Sequence, residues 1–177
     1  MTREDDPADD RRDGTRMTVA GDVQLQLDDL AATDRLGRAV GAALRAGDVV
    51  VLAGELGAGK TALTKSIALG MGITATVTSP TFVISRVHPG PAVTLVHVDA
   101  YRLGGAVELE DLDLDTDLTQ AAVVVEWGTG VAERFAEHPL TITLHRRSDD
   151  VRDCTVSGAA ARWSALLTAL RQVAPRG

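Results

Sequence analysis

Several things are scarce in this 177-residue chain. One cysteine, Cys154, excludes an internal disulfide and suits a reducing compartment. Its residue type alone reads as a small buried hydrophobe. No run approaches the roughly 18 consecutive apolar residues of a membrane-spanning helix. The opening MTREDDPADDRRDGTR has no apolar core of a secretory signal and little to bury, so residues 1–17 read as a disordered tail, with Met17 as a candidate translation start. Residues 18–177 read as one domain. Basic charge is short as well. The net charge is -7, and no Lys/Arg stripe compensates it. Direct nucleic-acid binding is disfavoured, because phosphate neutralisation supplies most of such affinity. Any nucleic acid in its pathway is expected to be held by a partner. Of 18 Lys and Arg residues only Lys60 and Lys65 are lysine. A lysine kept against that bias marks a place where a compact ammonium does what a planar guanidinium cannot.

What is present patterns as α/β. Val19, Val23, Leu25 and Leu27 suggest a first strand over Thr18–Leu27. Leu36, Val40, Ala43 and Leu44 have helical spacing, with Thr33 as N-cap and Gly47 as stop. Val49–Ala53 is a short apolar run of the kind buried on both faces of a parallel sheet, and a helix over Lys60–Met71 follows. Phe82–Val87 and Val93–Val98 read as strands joined by HPGP. Gly104–Leu118 is acidic and reads as a short helix with loops. Ala121–Val125 reads as another buried strand, and Leu140, Ile142 and Leu144 alternate with polar residues. Arg146–Asp150 reads as a turn into a strand near Val151–Val156. Ser157 is expected to cap a last helix bearing Trp163, Leu166, Leu167 and Leu170.

Gly54-Glu55-Leu56-Gly57-Ala58-Gly59-Lys60-Thr61 satisfies G-x-x-x-x-G-K-[ST], between a buried-strand pattern and a helical one. Glycines let backbone N–H groups of Gly54, Gly57, Ala58, Gly59, Lys60, Thr61 and Ala62 turn toward phosphate oxygens. The helix that follows aims its positive end at them. Lys60 is expected to reach the β- and γ-phosphates and Thr61 to ligate Mg²⁺. Two strand-end acids are candidates for the metal side: Asp99, after Val96-His97-Val98, and Glu126, after Val123-Val124-Val125. Each also reads as a solvated strand end. His88, His97, His138 and His145 read as structural or surface residues. No N/T-K-x-D guanine-reading motif occurs, which favours ATP.

Four separated motifs, GELGAGKT, Ser79–Phe82 (SPTF), His97–Leu103 (HVDAYRL) and Glu126-Trp127, together resemble the TsaE (YjeE) family over about Asp29–Trp127. The resemblance implies a three-layer P-loop NTPase-like sheet, mostly parallel with antiparallel additions and helices on both faces. It implies a cytosolic ATPase, weak alone, required for threonylcarbamoyladenosine beside the anticodon of tRNA and acting with the TsaB and TsaD proteins. It implies ATP and Mg²⁺, with Lys60 on phosphate and Thr61 and Glu126 on the metal. Asp99 becomes an essential acid near the γ-phosphate, Thr81 part of a switch-like loop, and Tyr101 and Arg102 companions of Asp99. Trp127 and Thr33 lie beside the nucleotide. Ala100 departs from the family, which often has a larger apolar residue there.

A small-molecule kinase and a nucleotide-gated module that does not hydrolyse are the other classes. The first lacks an Arg-rich lid; the second differs only in releasing no phosphate. A cationic finger is not evident, with Arg86 and Arg102 as the candidates.

Overall fold

The computed structural model describes residues 19–77, 85–100, 119–129 and 136–173. The tail, the acidic segment 104–118 and the start of the strand expected from Phe82 lie outside them.

Seven strands form one sheet: β1 (Val19–Leu27), β2 (Val49–Ala53), β3 (Ser85–His88), β4 (Thr94–Asp99), β5 (Ala121–Glu126), β6 (Leu140–Arg146) and β7 (Arg152–Ala159). The described helices are α1 (Leu30–Ala43), α2 (Lys60–Gly70) and α3 (Ala160–Val173). None is long and apolar enough to cross a membrane. The sheet order is β1-β7-β6-β2-β5-β4-β3. β6, β2, β5 and β4 run parallel to their neighbours in that block. β1, β7 and β3 add antiparallel edges.

Alternation along β2 divides the core. Val50 and Leu52 join a cluster with Leu36, Val40, Leu63, Ile67, Val124, Ile142, Trp163 and Leu167, drawing on all three described helices. Val49 and Val51 enter a second cluster with Val96, Val98, Val123 and Val125 on the other face. This two-sided burial is why β2 and β5 are apolar runs, whereas β6, with Leu140, Ile142 and Leu144 buried between more exposed residues, alternates. Cys154 is in the first cluster, and burial pushes its thiol up to about 12.

α1 and α2 approach backbone to backbone. A Cβ on Gly41 would stand 2.0 Å from Ile67 O, and one on Gly37 2.3 Å from Ser66 Cβ.

Three expectations need correction. The N-cap of α1 is Asp29, not Thr33: its carboxylate accepts from Ala32 N–H at 2.7 Å. Thr33 lies one turn in, buried, its hydroxyl donating to Asp29 O. α1 ends at Ala43 with Leu44 as C-cap, so Gly47, at φ 86°, shapes the turn into β2 rather than stopping the helix. Ser157 belongs to β7 and donates to Asp22 on β1 at 2.7 Å instead of capping α3.

Candidate functional site

The loop between β2 and α2 leaves the sheet where β2 ends. Gly54 has φ 134°, and a Cβ there would meet Leu144 O at 2.2 Å, so the position requires glycine. Gly59, at φ 107°, is the N-cap of α2 and supplies no side chain to it. Ala58 N–H bonds Glu55 O at 3.2 Å. The N–H groups of Gly57, Gly59, Lys60 and Thr61 have no backbone acceptor among the described residues. A concave run of donors at a helix N-terminus is an anion cradle.

Lys60 is 4% exposed. Its ammonium donates to Gly54 O at 2.7 Å and Glu55 O at 2.8 Å, and stands 3.6 Å from the centroid of the Trp127 ring. Burial lowers its pKa, while Glu126, Asp99 and Glu55 act in the opposite direction. Trp127 follows β5 with φ 64°, and its N–H is bonded to Leu52 O at 3.1 Å, which holds the ring beside the loop.

The strand register brings the two acids together. Asp99 ends β4 opposite Glu126, and Glu126 pairs with Leu52 of β2 on its other side. Glu126 is 4% exposed and both oxygens are engaged. Thr61 Oγ1 is 3.1 Å from Oε2; Thr64 Oγ1 is 3.4 Å and His97 Nε2 2.8 Å from Oε1. Glu126 is therefore not a solvated strand end. Among the described residues no group of three His, Cys, Asp or Glu is placed to hold a metal ion. One carboxylate with a Thr hydroxyl fits Mg²⁺, which takes few protein oxygens and fills its remaining positions with water and phosphate.

Three neighbours were not assigned to the site from the sequence: His97, Arg152 and Arg146. His97, read as structural or surface, is fully buried against Glu126. Its burial was signalled by Leu95, which shares its face of a strand buried on both sides, but its partner was not. The β6–β7 hairpin contributes Arg152, whose Nε–H donates to Ala58 O at 3.0 Å, and Arg146, which pairs with Asp150. No local signal links Arg152 to a loop 94 residues away. Thr33 has no hydrogen bond to the 54–61 loop among the described residues. Thr81, Tyr101, Arg102 and the Ser79–Phe82 segment lie outside the described residues; Arg86, on β3, is aligned with His97.

Residues 27–154 match the family model for "Threonylcarbamoyl adenosine biosynthesis protein TsaE". The chain is 53% identical over 136 residues to the tRNA threonylcarbamoyladenosine biosynthesis protein TsaE of Streptomyces coelicolor, covering 73% of this chain and 92% of that one. It is 47% identical over 158 residues to the protein of the same name from Mycobacterium tuberculosis, covering 83% and 94%. The crystal structure of Bacillus subtilis YdiB superposes with a TM-score of 0.72 at 30% identity, over 87% of this chain and 96% of that one.

Proposed function

The chain belongs to the TsaE family, and from that premise we propose that it binds ATP with Mg²⁺ and hydrolyses it in support of threonylcarbamoyladenosine formation on tRNA, acting with TsaB and TsaD. The observation that carries this reading is the 3.1 Å approach of Thr61 Oγ1 to Glu126 Oε2 at the N-terminus of the phosphate-loop helix, beside Lys60.

Loop amides from Gly54 to Ala62 hold the phosphate oxygens, and Lys60 exchanges its loop carbonyls for the β- and γ-phosphates. Thr61 and Glu126 hold the metal. Bound Mg²⁺ supplies neutralisation of charge building on the β- and γ-oxygens. Asp99 accepts a hydrogen bond from the attacking water and aligns it with the γ-phosphorus. The water oxygen bonds to phosphorus, the bond to the β–γ bridging oxygen breaks, and ADP and phosphate leave. Trp127 flanks the nucleotide, with Thr33 near its edge, and Thr81, Tyr101 and Arg102 are proposed as switch or supporting residues.

Arg146 and Arg152 are each engaged, with Asp150 and with Ala58 O and Asp150 O. Neither is a ready cationic finger, and of the candidates Arg86 and Arg102 the second lies outside the described residues; slow hydrolysis alone and faster turnover when a partner completes the site are part of the proposal. A net charge of -7 supports tRNA being held by those partners.

Phosphate release from the purified chain, with and without TsaB and TsaD, tests the reading. Partner-stimulated release is the expected result. No release under either condition would leave only a nucleotide-gated module, and ADP formation that depends on a small acceptor would make it a kinase.

A further inference from the structure

Glu126 carries the metal side of the proposed site, and what fixes its carboxylate decides how well that side works. A glutamate has three side-chain torsions, so a strand backbone alone does not fix its oxygens. Here Oε2 faces Thr61, and Oε1 has two neighbours. Thr64 is the weaker one. Its single hydroxyl hydrogen has Lys60 O at 3.0 Å and Glu126 Oε1 only at 3.4 Å, and it cannot be donated to both. The other neighbour is His97 Nε2, at 2.8 Å and with the ring 0% exposed. An ionised carboxylate only accepts, so His97 must donate from Nε2.

We infer that His97 is a positioning residue for Mg²⁺: its Nε2–H holds Glu126 Oε1 and thereby presents Oε2 to the metal beside Thr61. The inference rests on the Mg²⁺–ATP reading above. The pair is a buried carboxylate oriented by a histidine that itself touches neither metal nor phosphate. Its position follows from the sheet: β4 and β5 are parallel neighbours, with His97 opposite Val124 and Asp99 opposite Glu126. The ring thus lies one strand over and two residues back, where it reaches the carboxylate from beneath. A donor is needed there, because the carboxylate oxygen of a residue only 4% exposed pays its desolvation in full without one. Outer partners of metal ligands typically change metal affinity about 10- to 100-fold when removed.

Two amide substitutions separate positioning from simple filling of space. The Gln side-chain amide can stand where Nε2 stands; that of Asn is too short and reaches only the Nδ1 position. Binding of a fluorescent ATP analogue is titrated with MgCl₂ for wild type, His97→Gln and His97→Asn, and repeated in EDTA, with thermal unfolding to check that each is folded. The expected result is a Mg²⁺ midpoint within about threefold of wild type for His97→Gln, a midpoint raised about tenfold or more for His97→Asn, and equal binding in EDTA for all three. Equal midpoints in both variants, or a loss of binding in EDTA that matches the loss in Mg²⁺, would overturn the inference. If His97→Asn does not fold, His97→Leu, which fills the space without a donor, takes its place: a midpoint raised about tenfold or more is expected, and one within threefold of wild type overturns the inference. Wild-type binding that ignores Mg²⁺, or an affinity left unchanged by Lys60→Ala, would instead sink the parent reading and this inference with it.

Discussion

The Lys60 ammonium stands 3.6 Å from the centre of the Trp127 indole while donating to two carbonyls of its own loop. Two of its donors are thus given to the loop, and a nucleotide that recruits Lys60 must share or replace those contacts. Such a change alters the field on the Trp127 ring, whereas Trp163 is fully buried and its Nε1–H is bonded to His138 O. ATP is expected to change tryptophan emission, and Trp127→Phe is expected to abolish the change while leaving the Trp163 signal. A full response in Trp127→Phe would show that the reporter lies elsewhere.

Lys60 and Asp99 are expected to fail differently. Lys60→Ala removes a charged donor worth about 1.5–3 kcal/mol, so calorimetry should show ATP affinity falling by about tenfold or more. Asp99→Asn keeps the shape and loses the acceptor charge. ATP binding should be retained and phosphate release should drop by about 100-fold or more. Normal turnover in Asp99→Asn would remove it from the chemistry.

Arg152 ties the β6–β7 hairpin to the phosphate loop through Ala58 O. Arg152→Ala is expected to cost about 1 kcal/mol in ATP binding, roughly a fivefold rise in Kd, by loosening the loop. An unchanged Kd would reduce the contact to packing.

Gly41 is where α1 meets the backbone of α2. A methyl group there would meet Ile67 O at 2.0 Å and cannot be accommodated without moving a helix. Gly41→Ala is expected to destabilise the protein by about 1–3 kcal/mol despite the better helix propensity of alanine. Urea unfolding reads this directly; a stabilised variant would contradict the close approach.

His88 is buried at the end of β3, and its Nε2 has no partner among the described residues. Burial lowers its pKa from 6.5, with His97 and Arg86 adding to the effect. The folded chain therefore holds His88 neutral at a pH where the unfolded chain begins to protonate it. That contribution to stability is complete above 6.5 and is lost as pH falls from there toward the lowered folded value. The urea midpoint should drop between pH 7 and 5, and His88→Leu should flatten that part of the profile. The same slope in both proteins would assign the loss to other groups.

The sequence made plain what short-range pattern encodes. The run Val49–Ala53 is apolar because both its faces are covered, and the glycines that follow are needed where the backbone turns left-handed. Leu140, Ile142 and Leu144 betray a strand with one wet side for the same reason. The cap of α1 was misread because apolar spacing from Leu36 starts the helix a turn late; the signal was a carboxylate at Asp29 three residues before Ala32 N–H. Ser157 looked like a cap only because a strand runs straight into the helix at Ala160. The contacts of His97 with Glu126 and Arg152 with Ala58 were out of reach, because they depend on which strands become neighbours. Thr81, Tyr101 and Arg102 lie outside the described residues.

The strand order has one more effect. On one flank of β2, β5 and then β4 deliver carboxylates; on the other, the hairpin of β6 and β7 delivers guanidinium groups. The hairpin cations are already matched by aspartates, Arg146 by Asp150 and Arg147 by Asp149, so the side of the loop that can take a cation is set by the order of the strands. A polyanion carrying a divalent cation would accordingly settle with the cation on the β4–β5 flank, whichever way round it arrives.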